Sequence, residues 1–237
     1  LKERIKSYRS KGLTISEVKR VFRGEINERF IERNFYENAG QRINLDFESF
    51  NDFCSRKIKE FENYGVLFDD GSYGNILGGN SVAERNILSG NSAYGVFIYN
   101  MGTNSNVVKG NYIGTDVNGT VAIPNAVGIV IDGVAYNHKI DSNIISGNLQ
   151  QGIYINITGC DNTQITKNKI GVDINNIPLG NGSDGIRISQ GPKYSIIGGS
   201  ISNANIIAHN GGNGVYIMFL NDDFHLISYN SIHNNNG

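Results

Sequence analysis

Gly152-Ile-Tyr-Ile155 is one of five near-copies of a single phrase. The others read Gly95-Val-Phe-Ile98, Gly128-Ile-Val-Ile131, Gly185-Ile-Arg-Ile188 and Gly214-Val-Tyr-Ile217, with a degenerate Gly65-Val-Leu-Phe68 upstream. Successive glycines are 30, 33, 24, 33 and 29 residues apart. A phrase that returns at this spacing belongs to a stacked fold in which each unit buries its apolar face only against its neighbours.

After each of these glycines comes a second phrase, Asn-x-Ile/Leu: Asn86-Ile-Leu88, Asn111-Tyr-Ile113, Asn143-Ile-Ile145, Asn168-Lys-Ile170, Asn205-Ile-Ile207 and Asn230-Ser-Ile232. Between the two phrases lies a third apolar spot: Val107-Val108, Ile140, Ile165, Ile196-Ile197 and Leu226-Ile227. Three strand-like runs per unit, too short for helices and parted by Gly, Asn, Asp and Ser, describe a coil with three sides.

Side chains alternate across a strand. Val66, Val96, Ile129, Ile153, Ile186 and Val215 therefore share a face with Phe68, Ile98, Ile131, Ile155, Ile188 and Ile217, and all twelve are apolar. That face is the predicted interior, with coils stacked about 4.8 Å apart. The column Asn86, Asn111, Asn143, Asn168, Asn205 and Asn230 is predicted to turn the chain. There an amide tolerates the left-handed conformation and hydrogen-bonds its own backbone or the equivalent Asn one coil away. A longer period overlies these: Asn86-Ile-Leu-Ser-Gly-Asn91 returns as Asn143-Ile-Ile-Ser-Gly-Asn148, 57 residues on, as if two coils had duplicated together.

With Gly-x-x-Ile, Asn-x-Ile-x-Gly-Asn and Ile113-Gly-Thr-Asp-Val-Asn-Gly119 in place, the chain from about residue 65 to 237 resembles the right-handed parallel β-helix repeat proteins of the pectin-lyase-like superfamily. The resemblance implies an all-β solenoid of about six three-sided coils. It leaves function open, because that superfamily holds polysaccharide lyases, hydrolases, epimerases, phage tailspikes, adhesins and non-catalytic surface proteins.

Residues 1–62 are of another kind and are expected to form a small α-helical segment ahead of the β-helix at 63–237. They hold 14 of the 21 Lys and Arg, 11 of the 22 Asp and Glu, and only three of the 30 glycines. Thr14-Ile-Ser-Glu17 reads as a capping box followed by Val18, Val21, Phe22 and Ile26 at helical spacing. A second stripe runs through Phe47, Phe50, Cys54, Ile58 and Phe61. Such a segment is expected to cap the first coil, whose backbone groups and apolar cross-section would otherwise lie open.

The sequence begins at Leu1 and stops at Asn234-Asn-Asn-Gly237 within the last coil. It is therefore read as a fragment, a processed chain or one segment of a longer helix, incomplete at its C-terminal end and open there to other protein chains. No apolar run approaches the length of a membrane span. A charge balance of 21 Lys and Arg against 22 Asp and Glu lacks a nucleic-acid footprint. Cys54 and Cys160 have no metal-knuckle spacing, and His138, His209, His225 and His233 are not spaced as a ligand set.

The chemistry falls on the outward positions of the Gly phrase. These are Leu67, Phe97, Val130, Tyr154, Arg187 and Tyr216, then Asp69, Tyr99, Asp132, Asn156, Ser189 and Met218. Aromatics beside carboxylates, an amide and a guanidinium can stack on a sugar ring and hydrogen-bond its hydroxyls. The resemblance implies the same, since related β-helix proteins place their glycan groove on a lateral sheet face. Phe97, Tyr99, Asp132, Tyr154, Asn156, Arg187 and Tyr216 are the candidate ligand-binding set; cover by loops or a neighbouring chain is the competing reading.

For catalysis Asp132 and Arg187 are the candidates, two coils or about 10 Å apart. Ser183-Asp-Gly-Ile186 looks like a fragment of the polygalacturonase Asn-Thr-Asp motif, but the paired Asp and the Gly-His-Gly element are missing. A calcium reading attaches to Asp116 and Asn118, and to Asp173 and Asn175, in equivalent loops of alternate coils; Asx turns explain the same letters. No cofactor is required by this reading.

The expected function is that of a surface or extracellular structural or adhesive β-helix contacting polysaccharide or a cell-surface glycan. The alternative is a polysaccharide lyase, hydrolase or epimerase, including a tailspike-like depolymerase. Asn118-Gly-Thr, Asn156-Ile-Thr and Asn181-Gly-Ser match the glycosylation acceptor pattern, as chance allows in so Asn-rich a chain.

Overall fold

The computed structural model describes residues 64–218 and 224–237. The helices and cap expected within 1–62, with Cys54, lie outside these residues.

Among the described residues, eighteen short strands form three six-stranded sheets, parallel throughout. Sheet 1 stacks β1 (Tyr64–Phe68), β4 (Tyr94–Ile98), β7 (Val127–Ile131), β10 (Ile153–Asn156), β13 (Ile186–Ser189) and β16 (Val215–Met218). Sheet 2 stacks β2 (Ile76–Gly78), β5 (Val107–Lys109), β8 (Lys139–Asp141), β11 (Gln164–Thr166), β14 (Ile196–Gly198) and β17 (Leu226–Ser228). Sheet 3 stacks β3 (Ile87–Leu88), β6 (Tyr112–Ile113), β9 (Ile144–Ile145), β12 (Lys169–Ile170), β15 (Ile206–Ala208) and β18 (Ser231–His233). Each coil contributes one strand to each sheet, so the described residues form a parallel β-helix of six three-sided coils. The sequence reading passes over only Ile76-Leu77, the first coil's member of sheet 2.

Register follows the phrases. Ile153 pairs with Ile129 on one side and Ile186 on the other, and Ile155 with Ile131 and Ile188. Ile98, Ile129, Ile131, Ile153, Ile155 and Ile186 have no exposed surface. Val108, Ile140, Ile165 and Ile197 from sheet 2, and Ile113, Ile145, Ile170 and Ile207 from sheet 3, complete the core. β-Branched side chains suit these ladders because their stiff χ1 costs little on a pleated surface, and each full burial contributes about 1.5–3 kcal/mol.

The phrase glycine is fixed by space. A Cβ on Gly152 would lie 2.7 Å from the Gly185 carbonyl oxygen, 2.9 Å from Asn181 Nδ2 and 3.0 Å from Ile170 Cγ2. The corresponding glycines at 95, 128, 185 and 214 meet the next coil's backbone or a ladder Asn, and the following Ile, in the same way.

The Asn column is a ladder, as expected. Asn168 accepts on Oδ1 from both the backbone N–H (2.9 Å) and the Nδ2 (3.0 Å) of Asn143. Its own Nδ2 donates to Asn205 Oδ1 at 3.1 Å and to the Ile140 carbonyl at 2.9 Å. The expected left-handed conformation belongs elsewhere: Gly110, Ser142, Lys167 and Tyr229, each just before a ladder Asn, carry the positive φ. The preceding residue makes the corner, which frees the Asn to turn inward, where Asn111, Asn143, Asn168 and Asn205 are buried.

A second ladder runs through Asn91, Asn125, Asn148, Asn181, Asn210 and Asn235, with Nδ2–Oδ1 distances of 2.7–3.0 Å. Asn181, one of the three glycosylation matches, is 1% exposed within it and has no free amide to modify. A third column starts as a ladder, Asn75 Nδ2 donating to Asn106 Oδ1 at 2.9 Å, and then changes. The next rung is His138, whose Nδ1 accepts the Asn106 backbone N–H at 3.3 Å. His225 does the same for Ser195 at 3.1 Å.

His138 is 1% exposed, and its Nε2 has no hydrogen-bond partner among the described residues. Burial lowers its pKa from 6.5 to about 4. The unfolded imidazole takes up a proton below about 6.5 while the folded one stays neutral to about 4. This contribution to stability is therefore full above 6.5 and is lost as pH falls through that window. It is worth about 3 kcal/mol at most. Asn occupies the same column in the two preceding coils, so His138→Asn is expected to flatten the fall in melting temperature between pH 7 and 4. Parallel acid-dependent melts of the two proteins would refute this assignment.

The coils of unequal length differ at their corners. Two excursions close with antiparallel bridges, Thr115 with Ala122 and Val172 with Pro178, 57 and 56 residues apart in chain number. The Ile174 N–H donates to the Gly119 carbonyl at 3.1 Å, so one excursion lies against the other.

Candidate functional site

The outer face of sheet 1 gathers the residues singled out by sequence. At its first two coils Tyr64, Tyr94, Phe97 and Tyr99 form one aromatic cluster. Tyr64 stacks on Tyr94 at 5.4 Å, Phe97 on Tyr99 at 4.9 Å, and Tyr94 meets Phe97 edge-on at 5.1 Å. Aromatic pairs at these separations add about 0.5–1.5 kcal/mol each beyond area burial. Alternation within the Gly phrase does not point to Tyr64 and Tyr94. Each stands just before its phrase glycine, and because that glycine and the next residue both turn inward, the tyrosine emerges on the same side as Phe97.

The middle coils are polar. Asn156 Nδ2 donates to Asp132 Oδ2 at 3.1 Å, and the Gly133 N–H donates to Asp132 Oδ1 at 2.6 Å. The Tyr154 hydroxyl donates to Asn156 Oδ1 at 3.0 Å and lies 3.0 Å from Ser189 Oγ. Burial pushes the Tyr94 phenol above its ordinary pKa, with the Asp132 and Tyr154 charges adding to the shift. Val130, between Phe97 and Tyr154 in register, is 3% exposed.

At the fifth coil Arg187 lies between the rings of its neighbours in register, 5.9 Å from the Tyr154 centroid and 5.2 Å from Tyr216. Its Nη1 is 3.9 Å from Asp184 Oδ2, while Asp184 Oδ1 accepts from the backbone and side chain of Asn213. Cation–π contacts of this kind contribute about 0.5–2 kcal/mol. The Tyr216 hydroxyl points at Met218 Sδ, 3.3 Å away.

The face thus joins Asp132 to Asn156 and Tyr154, and Tyr154 to Arg187. The two catalytic candidates are engaged separately, Asp132 by Asn156 and the Gly133 amide, Arg187 by Asp184 and two tyrosines. Phe97, Tyr99, Asp132, Tyr154, Asn156, Arg187 and Tyr216 are all half-buried.

In the two loops read for calcium, the carboxylates cap their own turns. Asp116 Oδ1 accepts the N–H groups of Thr120 (2.8 Å) and Val121 (3.0 Å), and its Oδ2 accepts from Asn118 Nδ2. These backbone bonds hold its carboxyl below the usual range. Asp173 Oδ1 likewise accepts from the Asn175 and Ile177 amides, both at 2.7 Å. Among the described residues, no three His, Cys, Asp or Glu side chains come together as a metal-holding group. Cys160 is buried, and burial raises its thiol to about 11. No helix among the described residues is long and apolar enough to cross a membrane.

Comparison with protein-family models, with curated proteins and with solved structures finds no match to this chain.

Proposed function

We propose that this chain is a surface or extracellular β-helix with a structural or adhesive role, of the pectin-lyase-like kind, and that it binds glycan along the outer face of sheet 1. The observation that carries this reading is the run from the Tyr64/Tyr94/Phe97/Tyr99 cluster through Asp132, Asn156 and Tyr154 to Arg187 between its two tyrosines. It offers ring faces for sugar C–H surfaces beside acceptors and donors for hydroxyls, on a backbone fixed by the coils behind it. Separate engagement of Asp132 and Arg187 supports binding over bond cleavage as the work of this face.

The test is a glycan array followed by titration of the best ligand against the wild type and Tyr154→Ala/Arg187→Ala. Roughly tenfold or greater weakening is expected, the equivalent of two lost contacts of about 1 kcal/mol each. Unchanged affinity would remove this face from consideration. Release of new reducing ends or unsaturated products from the same ligands would favour the depolymerase or lyase reading instead.

A further inference from the structure

The corner between sheets 1 and 2 contains a column of residues in the left-handed conformation, one per coil: Gly74 (φ 67°), Ser105 (55°), Asn137 (60°), Asn162 (57°), Tyr194 (56°) and Phe224 (47°). Four coils fill it with glycine or with small polar residues. Two fill it with large aromatics, for which this conformation is strained. Core burial does not offset that cost, because Tyr194 is 50% and Phe224 68% exposed. The rings instead stand against each other, centroids 5.8 Å apart and planes within 10°.

The adjoining column of the same corner begins Tyr73, Asn104, Tyr136, bridged in parallel from coil to coil. Tyr73 is 75% and Tyr136 37% exposed, and Asn104 Nδ2 reaches the Tyr136 hydroxyl at 3.4 Å. Exposed aromatics therefore mark coils one, three, five and six along a single edge. Coils one, three and five succeed one another at two-coil intervals of about 10 Å, a spacing that suits the repeating rings of an extended polymer, and the Phe224 ring of coil six stands against that of Tyr194. Among the described residues, the charges in the column beside them are one of each sign, Asp161 and Lys193, with the Lys193 backbone N–H donating to Asp161 Oδ1 at 2.8 Å. An edge of spaced rings, amides and hydroxyls whose described residues offer a single cation, Lys193, suits neutral sugars and gives little hold to phosphate or uronate.

We propose that this corner is a second glycan-binding strip, distinct from the face of sheet 1, which takes a neutral polysaccharide lying along the stacking direction with Tyr194 and Phe224 as its principal stacking platform. It stands independently of the sheet 1 reading.

The test uses Tyr194→Asn/Phe224→Asn, which installs the residue that the third and fourth coils carry at this corner. Thermal stability should be unchanged or raised, since Asn tolerates the left-handed conformation. Affinity for neutral hexasaccharides, with cellohexaose and mannohexaose as probes, should fall tenfold or more, while the Tyr154→Ala/Arg187→Ala protein keeps it. Oligogalacturonate serves as the acidic comparison and should bind this strip no better than buffer. The proposal is overturned if the full chain binds neither neutral probe, if the Asn variant binds them as well as wild type, or if only the sheet 1 variant loses them. A marked loss of stability, or of a dimer seen by sedimentation, in the Asn variant would assign the ring pair to packing or self-association and overturn it too.

Discussion

Asn168→Ala is expected to destabilise the protein by about 3 kcal/mol, a fall in melting temperature of roughly 6–12 °C for a unit of this size. The side chain accepts two hydrogen bonds from Asn143 and donates two, to Asn205 and to the Ile140 carbonyl, all buried. Alanine leaves the Asn143 N–H and Nδ2 without their acceptor and the Ile140 carbonyl without this donor. Each such orphan costs about 1–3 kcal/mol where water does not replace the partner. Because three of the four bonds join Asn168 to Asn143 and Ile140 of the preceding coil, loss should be greatest at the third and fourth coils. Hydrogen exchange should show amides of β8, β11 and β14 opening earlier than those of β2 and β5. A melting temperature within 1 °C of wild type would show that the ladder contributes little.

Gly152→Ala should cost a similar amount by a different route. The added methyl would sit 2.7 Å from the Gly185 carbonyl oxygen, which belongs to the backbone of the next coil. Side chains can rotate away; a rung of a parallel sheet moves only by lengthening its bonds to the rungs on both sides. Overpacking of this kind costs about 1–3 kcal/mol, and Gly152→Val should exceed it. Gln151→Ala, one residue earlier, provides the comparison and should change stability by less than about 0.5 kcal/mol. Equal melting temperatures for Gly152→Ala and Gln151→Ala would refute the steric account of the repeat.

The repeat was legible because its two phrases pair tight constraints. The glycine is demanded by contact with the next coil, the Asn by an inward chain of amides, and the Ile by a core with no room for polarity. The second Asn ladder is less legible because the chain between its members is uneven: Asn91 and Asn125 are separated by the excursion that closes at Thr115 and Ala122. Its signal was present all the same, since Asn91, Asn125, Asn148, Asn181 and Asn210 each lie three or four residues before a phrase glycine. The column through His138 was less readable, for Asn, His, Thr and Ser share no side-chain shape there. What unites them is a buried corner that asks only for polar atoms, and several residue types supply those.

The candidate face was partly legible. Strict alternation placed Phe97, Tyr154 and Arg187 on the outside, and there they lie. Alternation breaks at the phrase glycine, where two successive residues turn inward, so Tyr64 and Tyr94 fell outside the set although they complete the aromatic cluster. The pairing of Arg187 with Asp184 depends on a turn whose path the spacing does not encode.

In a parallel β-helix the bonds between coils run along the axis on which the coils stack, in three sheets at once. Tension applied along that axis pulls on all the bonds of one interface together, and the two Asn ladders share the load. Rupture then proceeds interface by interface, each detached coil lengthening the chain and relieving the force on those that remain. A stack of coils built this way yields in steps under strain and keeps its remaining coils in place.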